Sequence, residues 1–201
     1  MGRPRVGEPE LTRQIIIVSA LKLLDRDGFS ALSLANIAKD LNVKAPALYW
    51  YFPSKADLYT YVIEALFRDM LETVDPKLNG RDLLWALGCA LHDQQRRVRD
   101  AAKLISTARV SKEIRTELVP ELLTRIAVGD ITHAHARRTL TAIQALTLGW
   151  SIFESNPATS EVIRQSGDGD TAFEASLAEL VYGEASLPAG SPRPVRNKTP
   201  A

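Results

Sequence analysis

The sequence predicts an all-α fold, and three observations carry that reading. Apolar residues recur at three- and four-residue spacing through almost every segment, no stretch sustains period-two alternation, and capping or breaking residues punctuate the pattern. Ile16, Ala20, Leu23 and Leu24 give residues 10–27 one apolar face, and Gly28 supplies the positive φ that ends a first helix. Ser33 can accept from the free amides that open a second helix over 34–41, whose Leu34, Ile37, Ala38 and Leu41 turn inward. Asn42 tolerates a left-handed turn and Pro46 sits where its missing N–H is no loss, so a short third helix follows over 45–51. Phe52-Pro53 stops it, and Ser54 with Asp57 has the capping-box spacing for a long fourth helix running to 73. Turn formers at 75–80 mark the next break. Six more helices are expected over 82–97, 100–107, 111–127, 133–155, 160–165 and 171–182.

Composition bounds the function. The chain has 201 residues, 45% of them hydrophobic and 24% charged, with 25 basic against 24 acidic groups, enough to bury a core without covalent or metal staples. The lone Cys89 cannot form an internal disulfide and suits a reducing cytoplasm. The apolar run at 15–18 falls far short of the roughly 20 residues of a membrane helix, and Glu8 and Glu10 follow the basic N-terminus where a secretory signal needs an apolar stretch. A cytoplasmic protein is expected, with no membrane partner. The organisation reads as a flexible basic arm (1–9), a three-helix unit (10–56), a larger helical domain (57–183) and a disordered tail (184–201) holding Pro188, Pro192, Pro194 and Pro200.

The informative stretch is 34–52: two short helices joined by Leu41-Asn42-Val43-Lys44, directly after an amphipathic helix. This is the pattern of a helix-turn-helix, whose second helix enters the DNA major groove. Phosphate contacts need cations and hydroxyl donors at the rim, which Lys39, Lys44, Tyr49, Tyr51 and Lys55 supply. Small residues facing the bases let the helix come close, and Ala45, Pro46 and Ala47 meet that need. Trp50 is expected in the interior. Residues 1–60 hold eight basic against six acidic groups, yet between Asn36 and Lys55 only Asp40 is acidic. Arg3-Pro4-Arg5 can either enter a minor groove or stay solvated.

Gly28-Phe29, Ser33-Leu34, Ile37-Ala38, Leu41-Asn42-Val43, Leu48-Tyr49, Tyr51-Phe52, Lys55 and Leu58 resemble the signature of the tetracycline-repressor (TetR) family. Pro46-Ala47-Leu48-Tyr49-Trp50 is similar to the recognition helix of the tetracycline-repressor branch, and Arg99-Asp100-Ala101-Ala102-Lys103 and Leu146-Thr147-Leu148-Gly149 resemble later blocks of that branch. The resemblance implies that Tyr49, Tyr51 and Lys55 hold phosphates, that Asn36 and Ala45 to Ala47 read bases, that the later helices bind a small organic effector, and that a C-terminal helix pair forms a homodimer. Asn42 stands where the family usually has glycine. Ala35-Asn36 replaces a base-reading arginine of the branch, so the operator should differ.

Periodicity supports both halves of the second domain. Ala136, Leu140, Ile143, Thr147 and Trp150 form one stripe, matched by Phe173, Leu177, Leu180 and Val181, and this pair of stripes is the expected dimer interface. Ala142, Ala145 and Gly149 give a small-residue surface beside it. Trp85, His92, Ile105, Trp150, Phe153 and Glu154 are the candidate effector contacts, being apolar with a few polar groups. The resemblance places Glu154 at a glutamate that helps chelate magnesium-tetracycline, but Ile105 at the inner-shell histidine, which argues against that effector. His133 and His135 have no third ligand in view and read as a helix start, and Arg96, Arg97 and Arg99 as a helix end favoured by the macrodipole. No metal or cofactor is expected.

The fourth helix, with Lys55 at its start, is expected to link the two sites. The sequence thus points to a dimeric repressor that binds a pseudo-palindromic operator and is released by a small organic effector. The alternatives are a ligand-independent regulator or activator of the same fold and a protein-interaction module. No Ser/His/Asp ordering, glycine-rich phosphate loop, HExxH or CxxC points to an enzyme.

Overall fold

The computed structural model describes residues 11–165 and 169–183. The basic arm with Arg3 and Arg5 and the proline-rich tail lie outside them. Every regular element among the described residues is helical.

Helix α1 (Arg13–Asp27) starts where the Thr12 side chain accepts from the Ile15 amide at 3.2 Å, three residues later than the periodicity predicts. It ends at Gly28, φ 81°, and a 3₁₀ turn (Phe29–Ala31) leads to α2 (Leu34–Asp40). Asn42, φ 52°, makes the left-handed turn into α3 (Ala45–Tyr49), which carries Pro in its first turn. Then come α4 (Lys55–Glu72), capped by Ser54, α5 (Gly80–Arg97) and α6 (Ala101–Thr107).

The helix expected over 111–127 is continuous over 112–126, but it widens to a π turn (Ile114–Leu118) before α7 (Val119–Ile126). Pro120 explains the widening: it has no N–H for the carbonyl four residues back, at Thr116, and its ring crowds that carbonyl. After α8 (His133–Ser155), α9 (Pro157–Gln165) begins three residues before the expected start. Asn156 Oδ1 accepts from the Ala158 amide at 3.0 Å, and Pro157 occupies the first helical position. The last helix among the described residues is α10 (Gly169–Tyr182).

Two hydrophobic clusters organise these elements. The first gathers Ile16, Leu23, Leu24, Ile37, Leu48, Phe52, Leu58 and Val62 around α1 to α4. The second gathers Leu83, Trp85, Leu87, Leu123, Ile126, Ile143, Phe173 and Leu177 around α5, α7, α8 and α10. Helix α4 belongs to both, giving Leu58, Val62 and Leu66 to the first and Met70 to the second. Gly88 lets α10 close on α5: a Cβ there would lie 2.6 Å from Leu177 Cδ1.

Candidate nucleic-acid interface and effector cavity

The α2-turn-α3 unit is fixed from beneath. Ser33 Oγ accepts from the Asn36 amide at 3.2 Å, Leu34, Ile37 and Ala38 are buried, and the Val43 amide donates to Ala38 O at 2.9 Å across the turn. Leu48 is fully buried, pinning α3 to the first core by its inner face. What remains outside is a basic and aromatic surface. Lys39, Lys44, Pro46 and Lys55 are exposed, Tyr49 is 52% exposed and Trp50 is 89% exposed.

Trp50 corrects the expectation that it packs inside. Trp50 keeps helical angles, φ −69° and ψ −29°, and lies about 200° round the helix from the inward Leu48, so it faces outward. Ala45 and Ala47 are half-buried against the first core, leaving Pro46 as the exposed small residue of the three. Two expected contacts with DNA have their polar tips engaged within the chain. The Asn36 amide donates to Ala31 O at 2.8 Å, and the Tyr51 hydroxyl donates to the Leu11 carbonyl. Both tie down neighbours of α3. Arg13 joins them, stacking 4.6 Å over the Tyr61 ring with its guanidinium reaching the Tyr51 carbonyl at 3.5 Å.

The electrostatics of this face are cleaner than net charge implies. Asp40, the single acidic residue between Asn36 and Lys55, is held by Arg26 at 2.9 Å. The hydrogen bonds that Arg26 donates to the Asp27 and Asp40 carboxylates raise its pKa. The Asp40 charge is thus neutralised on the α1 side, while Lys39, Lys44 and Lys55 have no carboxylate at ion-pair distance among the described residues.

The second candidate site is a cavity of about 660 Å³ bounded by the end of α5, the start of α6, the end of α8 and α9. Of the six expected effector contacts, Glu154 lines it. His92 sits behind Glu154, 4% exposed, with its Nε2 3.4 Å from Glu154 Oε2 and its ring stacked on Phe173 at 3.8 Å. Burial lowers the His92 pKa, Glu154 partly opposes that and Arg96 adds to it. The other four lie elsewhere. Trp85 is wholly buried near Tyr182, Trp150 packs edge-on against Phe173, Ile105 is half-buried off the wall, and Phe153 is 49% exposed. Single-sequence periodicity separates apolar from polar but not core from cavity, which is why aromatic residues drew the expectation. The wall uses Gln95, Arg99, Lys103, Ile152 and Ile163 instead. Among the described residues no three His, Cys, Asp or Glu side chains cluster as a metal site requires.

The buried residues of the expected dimer stripes need correction, while Leu140, Trp150 and Leu180 stay part-exposed. Ile143, Thr147, Phe173 and Leu177 are at most 1% exposed within one chain, and Leu140, Leu180 and Trp150 pack on the same core. They join α8 and α10 to α5, because the most apolar stripe goes to the interior first. The outward side of α8 carries Ala145, Leu148, Gly149, Ile152 and Phe153, with Ile152 and Phe153 both 49% exposed and open space above Gly149.

The cavity wall meets the first core through Val98, which packs on that core, and through a polar junction beside it. Asp100, φ 55°, accepts from the Phe29 amide at 3.0 Å and from Lys103 Nζ at 2.7 Å, which hold its carboxyl below the usual range. Arg99 donates to Arg26 O at 2.7 Å.

Residues 16–62 match the family model "Bacterial regulatory proteins, tetR family". The chain is 26% identical to the tetracycline repressor protein class C of Escherichia coli over 204 aligned residues, covering 87% of this chain and 90% of that one. Residues 16–62 thus resemble the TetR family, and most of the chain is similar to one of its tetracycline repressors at 26% identity. An HTH-type transcriptional regulator of Saccharopolyspora erythraea is 35% identical over 75 residues, so there the chain spans about a third of the relative, 32%. The crystal structure of BioQ with its natural double-stranded DNA operator superposes on this chain with a TM-score of 0.62 at 26% identity, covering 89% of this chain and 100% of that one. The family match falls on α1 to α4, where the exposed cations and aromatics lie.

Proposed function

We infer that this chain is a cytoplasmic, non-enzymatic transcriptional repressor of the TetR family that binds a pseudo-palindromic operator as a homodimer and leaves it when a small organic effector enters the cavity. One observation carries the reading: α3 seals Leu48 in the core while holding Lys44, Tyr49 and Trp50 in solvent, where they serve no internal packing. A surface of cations, a phenol and an indole suits a rim of phosphates and base edges. The likeness to a DNA-bound relative supports it. Among the described residues no helix is long and apolar enough to cross a membrane, in keeping with this role.

A reader of paired half-sites needs a twofold partner, and the outward face of α8 is the surface available for it. The effector acts by preferring the conformation in which the two recognition helices are mis-spaced, and it lowers operator affinity by that preference. The test is selection of duplexes from a random pool, followed by titration of the selected duplex at several salt concentrations. Saturable, salt-dependent binding that Lys44→Ala weakens supports the reading. Absence of any selected duplex, or binding indifferent to Lys44→Ala, refutes it.

A further inference from the structure

Arg26, in the last turn of α1, shares its guanidinium between two carboxylates. Its Nε donates to Asp27 Oδ2 at 2.9 Å, and its Nη2 reaches across to the end of α2, donating to both oxygens of Asp40 at 3.3 and 2.9 Å. The backbone that launches this side chain is fixed: the Arg26 carbonyl accepts from Arg99 at 2.7 Å, and the Phe29 amide donates to Asp100 at 3.0 Å. The hydrogen bond from Arg26, and less strongly the charge of Arg99, lower the Asp27 pKa. Two guanidiniums and two carboxylates thus form one cluster with no net charge.

Asp40 is placed where an unpaired carboxylate would do harm. It closes α2 at the negative end of the helix dipole, next to the exposed Lys39 and four residues before the exposed Lys44. A phosphate drawn in by Lys39 or Lys44 would feel that charge over a distance comparable with the Debye length, ~10 Å in 0.1 M salt. For folding alone, an ion pair as exposed as this one contributes little. Its weight falls on the bound state, where a row of phosphates meets the same uncompensated charge.

We propose that Arg26 is a positioning residue for operator binding, which makes no phosphate contact of its own and acts by cancelling Asp40, so that Lys39 and Lys44 meet the duplex without a competing carboxylate. This rests on the reading of the α2-turn-α3 unit as the DNA-binding surface. Two other roles for the same ion pair leave different signatures. A phosphate ligand would contribute equally with or without Asp40. A mechanical strut between α1 and α2 would fail equally on loss of either partner.

The test measures the affinity of the full chain for the selected duplex by fluorescence anisotropy, in the parent, Arg26→Ala, Asp40→Asn and the double variant. Arg26→Ala is expected to weaken binding about fivefold or more at ~0.1 M salt. Asp40→Asn should bind at least as well as the parent, since Asp27 still occupies Arg26. In the Asp40→Asn background, Arg26→Ala should cost no more than about twofold. Thermal melts check that each variant folds, as the side-chain exposures of 55% and 29% lead one to expect. An equal loss on Arg26→Ala in both backgrounds overturns the proposal in favour of a phosphate ligand, and an Asp40→Asn loss as large as that of Arg26→Ala overturns it in favour of a strut. Undiminished binding by Arg26→Ala also overturns it; all three outcomes leave the DNA-binding reading standing. A parent chain that binds no selected duplex overturns both.

Discussion

Trp50 and Tyr51 are adjacent and do opposite work. Trp50 is 89% exposed, so Trp50→Ala should leave the melting temperature unchanged while weakening duplex binding at least tenfold, read by fluorescence anisotropy. Tyr51→Phe removes the hydroxyl that donates to Leu11 O and should cost about 1 kcal/mol of stability in urea melts. If Tyr51→Phe instead spares stability and weakens DNA binding alone, its hydroxyl faces phosphate in the complex. His92 gives a residue-scale pH dependence. Burial lowers its folded pKa beneath the unfolded value of about 6.5, so the unfolded chain binds more protons in between. Its contribution is fully present above about pH 6.5 and is lost as pH falls through the folded pKa. Urea melts from about pH 7.5 down to about pH 5.5 should show stability falling, with a shallower fall in His92→Gln. The backbone signals around these residues were legible in the sequence: Ser33 as a cap, Asn42 as the left-handed turn, Pro46 in the first turn of α3. The fate of each polar tip was not, because Ala31 O and Leu11 O become partners only once the chain has folded back on itself.

The junction of α1 with α6 is the element-scale constraint. Gly28 has φ 81° and ψ 177°, a region that side chains rarely enter, and a Cβ there would lie 2.7 Å from Asp100 Oδ2. Gly28→Ala should therefore destabilise by about 1–3 kcal/mol from backbone strain, with a further cost from the clash. Removing the carboxylate removes the clash, so a double-mutant cycle with Asp100→Ala should show a smaller loss than the two single losses added. Strict additivity would mean that the junction gives way at no cost. At this scale the sequence was informative wherever a local residue decides. Gly28 and Ser54 end or cap helices where their chemistry places them. It failed where the signal is a lost partner, as at Pro120, or where one stripe must be assigned to core or contact, as for Ile143 and Leu177.

For the whole molecule, the proposed dimer interface on the outward face of α8 is the feature to test. Phe153→Glu places a charge at a position 49% exposed in the single chain, so the fold should survive. Light scattering should then report a monomer for the variant and the proposed dimer for the parent chain, with operator affinity falling at least a hundredfold as the second half-site contact is lost. A dimeric Phe153→Glu chain with undiminished affinity would move the interface elsewhere. Helix α4 adds a consequence of another kind. Because Leu58 and Met70 of one rod sit in two different clusters, the loss of either cluster strips one end of α4 of its packing. The two halves therefore share their fate in denaturant: heat or urea should dismantle them in one cooperative step, and a truncated N-terminal fragment would have to survive on a frayed final helix.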